Sequence, residues 1–371
     1  MVTRIECVST AARLSELASA WQALWRRSGA DIFQHHHWIA SWANGMAERG
    51  DTRFRIMLAW EGERLITVLP CAIRRQRGLR TLQWMAQTFS DYCDAIVDPE
   101  IDSRPVLDAL WMEMLNLGGI DLVQLRCVRP DARIHRLLAR EGNGLRVEDR
   151  HDQCLRIDCI WPNGEAYFRS LNKKGRNNHT RGKRILEELG GPVAFRRYGP
   201  GAEARQALER LISLKRSWLK VHDPKSPVLD VDSELLRNML TAALDTELAT
   251  IFAITSGDRL AAASLNFVHE TKMQAYFTAF DPSFDRASPG TILIVEYTKW
   301  AFDHGLRQVD FLRGDESFKF RLGNAETLLD GFVGPRSLIG HAAVAAQEWR
   351  LRLRRTREAP SPSQEPALPA A

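Results

Sequence analysis

The chain has 371 residues and no long hydrophobic run. Its longest uninterrupted apolar stretches, such as residues 291–295, are far shorter than the roughly 18–20 apolar residues that cross a membrane. The first 21 residues place acidic and polar side chains where a signal peptide would have an apolar segment. We therefore predict that the protein has no membrane span and is cytoplasmic.

Cysteine is scarce and scattered, with six residues and no C-x-x-C motif. The closest pair, Cys154 and Cys159, has no histidine or cysteine partner at the spacing of a zinc site. Three consecutive histidines occur at 35–37, but consecutive helical residues point about 100° apart, which is unsuited to binding one ion. The sequence therefore predicts reduced cysteines and no metal.

Neither sign of charge is in large excess, because 51 basic residues face 46 acidic residues and the net charge is +5. Such a balance does not by itself indicate DNA as a partner. Hydrophobic residues make up 44% of the chain and charged residues 26%, which is typical of a soluble globular protein and excludes a disordered, collagen-like or coiled-coil chain. The length indicates about two domains of roughly 100–200 residues each.

The order of strand-like and helix-like segments predicts an α+β fold with mixed sheets. In the second half, three consecutive strand-like segments precede a helix and a further strand, at 248–255, 260–269, 273–280, 289–304 and 308–312. The first half shows a weaker version of the same order, at 54–60, 65–73, 79–85, 104–117 and 121–128. After these halves we predict a helix at 337–356, and the Pro/Ala/Ser-rich residues 357–371 predict a disordered tail.

The segment 280–291, FDPSFDRASPGT, has the features of an anion site at a helix start. Ser288 is a favourable N-cap residue, Pro289 suits the first helical position, and Gly290 allows a ligand to approach the backbone. The first turn has no acidic residue and Arg286 lies beside it. These features predict a site for phosphate or pyrophosphate. The alternative is a well-capped helix without a ligand.

Two further segments concentrate charge. At 309–320 a predicted strand ends in a glycine-containing charged loop, which is typical of functional loops but also of a solvated turn. At 172–184 six cations occur with no acid before Glu187. Cations at a helix start oppose the helix dipole, so an anionic partner would relieve this strain, although a solvated basic face is the commoner meaning.

Five short motifs occur in this order over about residues 30–325: FQHHHW at 33–38 with Trp42; SDY at 90–92; LNKK with RN at 171–177; FDP followed by SPG at 280–290; and DFLRGD with FK at 310–319. Together they resemble the GNAT-type acyltransferases of the CelD/BcsL cellulose-biosynthesis group, which are relatives of the FemAB-like double-GNAT proteins. The resemblance implies two GNAT-like halves at 1–150 and 151–336, each a mixed, mostly antiparallel sheet flanked by helices.

The resemblance also implies an acetyl-CoA or other acyl-CoA site in the second half and no metal. The backbone of the strand at 273–280, at Phe277 and Thr278, would flank the acyl and pantetheine groups. The turn into the following helix would take the pyrophosphate through Arg286, Ser288, Pro289, Gly290 and Thr291.

Asp91 is the candidate base or substrate anchor because it follows a strand and an aromatic-rich loop. An aspartate of ordinary pKa is a poor base near neutral pH, and a loop aspartate often forms an Asx turn instead. Similar proteins often have Tyr-Lys where this chain has Phe318-Lys319, and phenylalanine cannot protonate a leaving thiolate. We therefore consider Tyr276, Tyr297 or water as the acid.

The remaining candidate residues are Lys319 as a catalytic residue and, as substrate-binding residues, Tyr92, Lys173, Arg176, Trp218 and Asp315. The leading hypothesis is an acyl-CoA-dependent N- or O-acyltransferase acting on a small-molecule or saccharide acceptor, in polysaccharide or cell-envelope synthesis. A first alternative is a FemAB-like transferase that uses aminoacyl-tRNA, which the basic run would support. A second alternative is a non-catalytic CoA-binding protein. Phe318 is consistent with this alternative because phenylalanine cannot act as the acid.

Overall fold

The computed structural model describes residues 4–47, 49–148, 152–224, 233–346 and 349. Residues 338–346 are helical, in agreement with the beginning of the predicted helix at 337–356. The rest of that helix, apart from residue 349, and the predicted tail at 357–371 lie outside the described residues. Within the described ranges, no helix combines the length and apolar character needed to cross a membrane.

The first half begins with a strand and three helices and continues with a group of strands. Its elements are β1 (Arg4–Val8), α1 (Ala11–Glu16), α2 (Ala18–Ser28), α3 (His36–Ala47), β2 (Thr52–Glu61), β3 (Arg64–Gln76), β4 (Leu79–Trp84), β5 (Ile96–Val97), α4 (Ser103–Asn116), β6 (Leu122–Val128), α5 (His135–Leu138) and β7 (Arg146–Val147).

The second half has a similar order of elements, with longer helices and an additional strand between them. Its elements are β8 (Asp152–Asp158), α6 (Gly164–Ser170), α7 (Lys173–Gly190), β9 (Val193–Tyr198), α8 (Ala202–His222), α9 (Ser233–Asp245), β10 (Ala249–Ser256), β11 (Arg259–His269), β12 (Lys272–Phe280), α10 (Pro289–Asp303), β13 (Gln308–Arg313), α11 (Ser317–Leu322) and β14 (Ala325–Pro335).

The strands form one continuous mixed sheet in the order β1-β2-β3-β4-β6-β14-β8-β13-β12-β11-β10-β9. In each half, antiparallel neighbours are followed by a helix and a parallel strand: α4 connects β4 to β6, and α10 connects β12 to β13. The predicted α+β order of strands and helices is therefore observed in both halves, because it follows from local patterns of hydrophobic residues.

The strand β14 joins the two halves and was not predicted. Its residues 325–329 pair with β8, and its residues 330–335 pair with β6. The half at 1–150 therefore depends on the last strand of the second half. Polar and apolar residues do not alternate regularly along the sequence of β14, AETLLDGFVGP, and Gly331 and Gly334 interrupt it, so the sequence gave no strand signal.

Hydrogen bonds between buried side chains hold the halves together near the strand ends. The hydroxyl of Tyr92 donates to Oδ2 of Asp310 at 2.7 Å, and the amide of Gln274 donates to Oδ2 of Asp31 at 3.0 Å. Burial raises the pKa of Asp310 to about 6, although the Tyr92 hydroxyl and the Leu312 amide both donate to it. These contacts fix the position of β13 relative to the first half.

A buried carboxylate connects α7 to α10. Oε1 of Glu296 accepts hydrogen bonds from Nε2 of His179 at 3.0 Å and from Nζ of Lys183 at 2.7 Å. Burial acts to raise the pKa of Glu296, but the hydrogen bonds from His179 and Lys183 outweigh it, and the pKa falls to about 2. Part of the basic run at 172–184 is therefore neutralised by α10.

We expect Glu296→Gln to lower the free energy of unfolding by about 1–3 kcal/mol at pH 7, because it leaves the Lys183 ammonium beside a neutral partner. A carboxylate whose folded pKa is about 2, against an ordinary 4.5, contributes stability that is complete above pH 4.5 and is lost as pH falls towards 2. Urea unfolding of both proteins at pH 7 and at pH 3 measures this difference.

The matched control is Glu165→Gln, which removes an exposed pair with Arg169 and should change the free energy of unfolding little. An equal decrease in the free energy of unfolding of the two variants at pH 7 would contradict a stabilising role for the Glu296 carboxylate. A decrease in Glu296→Gln that is as large at pH 3 as at pH 7 would contradict it as well.

Candidate functional site

The parallel strands β12 and β13 pair only at their beginnings. Their partners are Lys272 with Gln308, Met273 with Val309 and Gln274 with Asp310. Beyond Gln274 the pairing stops, although β12 continues to Phe280 and β13 to Arg313. The sheet therefore opens into a wedge between β12 and β13.

A β-bulge in β12 lies at the point where the wedge opens. Leu265 of β11 is opposite Phe277 and Asn266 is opposite Ala275, so Tyr276 has no partner in β11. Bulges bend a strand and interrupt its ladder, and they are frequent beside active sites. Here the bulge coincides with the turn of β12 away from β13.

A cleft of about 370 Å³ occupies the wedge. Eight residues that the sequence singled out line it: Asp91, Trp218, Tyr276, Thr278, Ser288, Gly290, Thr291 and Lys319. The lining also contains five other charged or hydroxyl-bearing residues, which are Lys215, Asp285, Tyr297, Arg313 and Glu316. Of these, Tyr297 was considered as an acid, whereas the other four were not predicted as site residues.

The start of α10 faces this cleft. Ser288 has the left-handed backbone conformation (φ 52°) and its hydroxyl makes no capping hydrogen bond, which differs from the predicted N-cap. Pro289 has no N–H, and Gly290 holds the second helical position, whose N–H has no carbonyl partner within a helix. The first turn has no acidic residue. The predicted anion site therefore has an open helix terminus without a serine cap.

A second cleft, of about 610 Å³, meets the first at this helix start, because Ser288 and Thr291 line both. Its basic lining residues are Lys174, Arg181, Arg286 and Arg321, together with His179. The basic run on α7, the turn before α10 and the helix α11 thus bring cations from three distant parts of the chain to one side of the α10 terminus.

Two predicted substrate residues of the basic run lie elsewhere. The guanidinium of Arg176 donates to the carbonyl oxygens of Arg169 at 2.8 Å and of Leu171, so it satisfies the end of α6. Lys173 is exposed at the first residue of α7. In the described part of the chain, neither residue is among those that line the two clefts.

Two other predicted residues lie away from the cleft lining, and the side chains of two more are buried. Tyr92 is buried and donates to Asp310, so its hydroxyl joins the halves. Asp315 is exposed and its neighbour Glu316 lines the cleft instead. The side chains of Phe277 and Pro289 are buried in the core. Only the backbone of these last two residues can contribute to a ligand site.

Asp91 forms an ion pair instead of standing alone as a base. Its Oδ1 accepts from Nε of Arg313 at 2.6 Å, and Asp152 lies 3.3 Å from the same guanidinium. Burial acts to lower the pKa of Arg313, but the charge of Asp91 raises it above its ordinary range. The geometry makes Asp91 an anchor for Arg313 at the end of β13.

Three oxygen atoms lie close to the Nζ of Lys319. Its Nζ donates to the carbonyl of Arg313 at 2.5 Å and to that of Leu312 at 3.3 Å, and it lies 2.9 Å from Oε2 of Glu316. The side chain is buried. Lys319 therefore closes the end of β13 and keeps the strand in its diverging position.

Two tyrosines line the cleft but differ in what their hydroxyls contact. The hydroxyl of Tyr276 donates to the carbonyl of Phe89 at 2.8 Å, so its proton points away from the cleft. Burial raises the pKa of Tyr297 well above its usual value. Within the described residues, no group forms a hydrogen bond with the Tyr297 hydroxyl.

Residues 173–320 match the family model described as an acetyltransferase (GNAT) domain. This segment, 148 of the 371 residues, is similar to that family. The match covers the α10 terminus, the diverging strands and most of the residues that line the two clefts, and it confirms the predicted enzyme class, an acyltransferase. No curated protein matches the chain. Within the described residues, no group of three or more histidine, cysteine, aspartate or glutamate side chains is arranged to hold a metal ion.

Solved structures share the fold over most of the chain. FemX superposes with a TM-score of 0.57 at 11% identity, covering 88% of this chain and 97% of FemX. A tandem GNAT protein from the clavulanic acid biosynthesis pathway gives a TM-score of 0.50 at 12% identity, covering 90% and 100%. A protein of unknown function from Bacteroides thetaiotaomicron gives 0.51 at 14% identity, covering 91% and 100%. These likenesses confirm the predicted fold of two GNAT-like halves.

We expect Asp91→Asn to lower the free energy of unfolding by about 1–3 kcal/mol, because Arg313 loses its nearest counter-charge in a largely buried place. The measurement is urea unfolding at neutral pH, with Asp315→Asn as the control for an exposed acid in the loop that follows Arg313. Loss of turnover with unchanged stability would instead show that Asp91 is a base.

Proposed function

We propose that the protein transfers an acyl group from an acyl-CoA, with acetyl-CoA as the main donor, to an amine or hydroxyl of a small or sugar-linked acceptor. The observation that supports this most directly is the wedge between β12 and β13, which leads from a bulged strand edge to an open helix terminus. A thioester on a long arm with a diphosphate at its end matches this shape and its charge.

In this proposal the pantetheine arm lies along β12 at Phe277 and Thr278, where backbone groups face the wedge. The pyrophosphate lies at the α10 terminus, where the N–H of Gly290 and the helix dipole favour an anion. A Cβ on Gly290 would lie 3.6 Å from the Phe280 ring and would narrow this approach. The cations of the second cleft, including Arg181 and Arg286, would face the remaining phosphate of the donor.

The transfer requires a nucleophile, support for the oxyanion and an exit for the thiolate. Backbone N–H groups of β12 would stabilise the oxyanion. Phe318 cannot donate a proton, and the Tyr276 hydroxyl is occupied by Phe89. We therefore propose that the hydroxyl of Tyr297 donates a hydrogen bond to the leaving sulfur. This hydroxyl remains protonated because burial raises the pKa of Tyr297.

The mouth of the cleft has features suited to a sugar-linked acceptor. Trp218 is 38% exposed and lines the cleft, so part of its ring is available for stacking. Asp91 and Glu316 also line the cleft, where they are paired with Arg313 and Lys319. A role in polysaccharide or cell-envelope synthesis, and membership of the CelD/BcsL group, are part of this proposal.

The aminoacyl-tRNA alternative is less well supported by the charges. Arg176 is bound to backbone carbonyls, and Lys183 is paired with Glu296, so two cations of the basic run are used within the chain. The likeness to FemX concerns the fold. A cleft that ends at one helix terminus with four nearby cations suits a compact donor better than a long polyanion.

Acetyl-CoA at about 100 times its Kd should stabilise the protein by about 2.7 kcal/mol, which is a rise in Tm of several degrees. The double variant Ser288→Asp/Gly290→Asp should abolish this rise, because two carboxylates at the helix start repel the diphosphate. Thermal unfolding with acetyl-CoA, longer acyl-CoAs and free coenzyme A measures the effect.

The control is Ser103→Asp, which places one carboxylate at the start of α4 in the other half and should retain the rise. An equal rise in Tm with acetyl-CoA in the double variant would contradict the proposal that the donor diphosphate binds at the start of α10. Stabilisation by tRNA but not by acetyl-CoA would favour the alternative transferase.

Tyr297→Phe should slow release of free coenzyme A roughly 100-fold on a panel of amine and saccharide acceptors, because the leaving sulfur loses its donor. The rise in Tm with acetyl-CoA should be unchanged, since the hydroxyl does not contact the phosphates. Thiol release is followed with a chromogenic disulfide, with Tyr198→Phe on β9 as the control. A larger loss in Tyr276→Phe would assign the role to Tyr276.

A further inference from the structure

One lysine of the cleft has no role in the arrangement described so far. Lys215 lies on α8, lines the cleft, and is half-buried. Its Nζ is 5.0 Å from the centre of the Trp218 ring and 5.9 Å from that of Phe277. The amine therefore lies over the wall formed by β12, where the proposed function places the donor thioester.

The two lysines of this cleft differ in their surroundings. Lys319 is bound by two carbonyls and by Glu316. In the described part of the chain, no carboxylate forms an ion pair with Lys215, and the nearby Glu316 is paired with Lys319. Burial lowers the pKa of Lys215 below its usual value, which increases the fraction of neutral amine at neutral pH.

We propose that Lys215 is an acyl acceptor within the chain, so that the protein acylates its own cleft when no external acceptor is bound. The inference rests on the proposed function, because it requires an acyl-CoA in the wedge. A neutral amine in reach of a thioester is the reactant that such a transfer needs. The side chain of Lys215 also lines the cleft that the donor would occupy.

The step balances without a further reactant. The nitrogen of Lys215 attacks the thioester carbonyl carbon and forms a C–N bond, and the C–S bond breaks. One proton leaves the nitrogen and protonates the coenzyme A thiolate, with the Tyr297 hydroxyl beside the sulfur. The products are an amide on Lys215 and free coenzyme A. Because an amide is stable, the modified protein accumulates and Lys215 loses its charge.

The chain offers a matched comparison on the same helix. Lys220 is exposed on α8, one turn and a half beyond Lys215, and the sequence has nine lysines in all, so each can be followed by peptide mapping. We expect acylation of Lys215 to be at least roughly 10-fold faster than that of Lys220, because only Lys215 lines the cleft in which the donor thioester is proposed to lie.

The experiment incubates the full chain with acetyl-CoA and no acceptor, and measures intact mass, the site of acetylation and thiol release. We expect about one acetyl group per chain on Lys215, with an equal amount of free thiol. Lys215→Arg should lose this acetylation and keep the rise in Tm with acetyl-CoA. Ser288→Asp/Gly290→Asp should reduce acetylation of Lys215 to the level of Lys220.

The outcomes separate the inference from the proposed function. A rise in Tm with acetyl-CoA and no acetyl group on Lys215 would overturn the inference and leave the donor site intact. No rise in Tm would contradict the proposed function and the inference with it. Equal acetylation of Lys215 and Lys220, or acetylation that persists in the double variant, would show unassisted surface chemistry and overturn the inference.

Discussion

The site depends on the early end of pairing between β12 and β13. After Gln274 and Asp310, two adjacent strands turn apart and leave backbone groups that neither strand satisfies. Unpaired backbone inside a protein is costly, so this arrangement needs support on both sides. On one side the bulge at Tyr276 bends β12. On the other side β13 pairs with β8, and Lys319 binds its terminal carbonyls.

The first half of the chain contributes to this support without containing the family match. Tyr92 binds Asp310, Asp91 binds Arg313, and the Phe89 carbonyl binds the Tyr276 hydroxyl. One loop after β4 therefore positions β12 and β13 together. The strand β14 completes the connection because it pairs with both β6 and β8. The two halves thus form one structural unit around the wedge.

Charge around the wedge is divided between structural and available groups. The cations of the basic run at 172–184 separate into two sets. Arg176 and Lys183 form hydrogen bonds within the chain, whereas Lys174 and Arg181 line the second cleft. The two lysines of the first cleft differ in the same way. Lys319 is bound to two backbone carbonyls and to Glu316, whereas Lys215 forms no ion pair with a carboxylate in the described part of the chain. Local sequence cannot make this distinction, because the deciding partners lie on other elements.

The features that could be predicted from the sequence are those that depend on residues close together in the chain. Hydrophobic periodicity predicted the strands at 248–280 and the helix that follows them. Pro289, Gly290 and the lack of an acidic residue predicted that the first turn of this helix is uncapped by a carboxylate. Each of these features depends on neighbours within a few positions. Tertiary structure alone decided that Asp91 pairs with Arg313, that β14 joins the halves, and that Lys215 faces the cleft. The physical reason is that each of these depends on groups about 60 to 220 residues apart, brought together by the sheet.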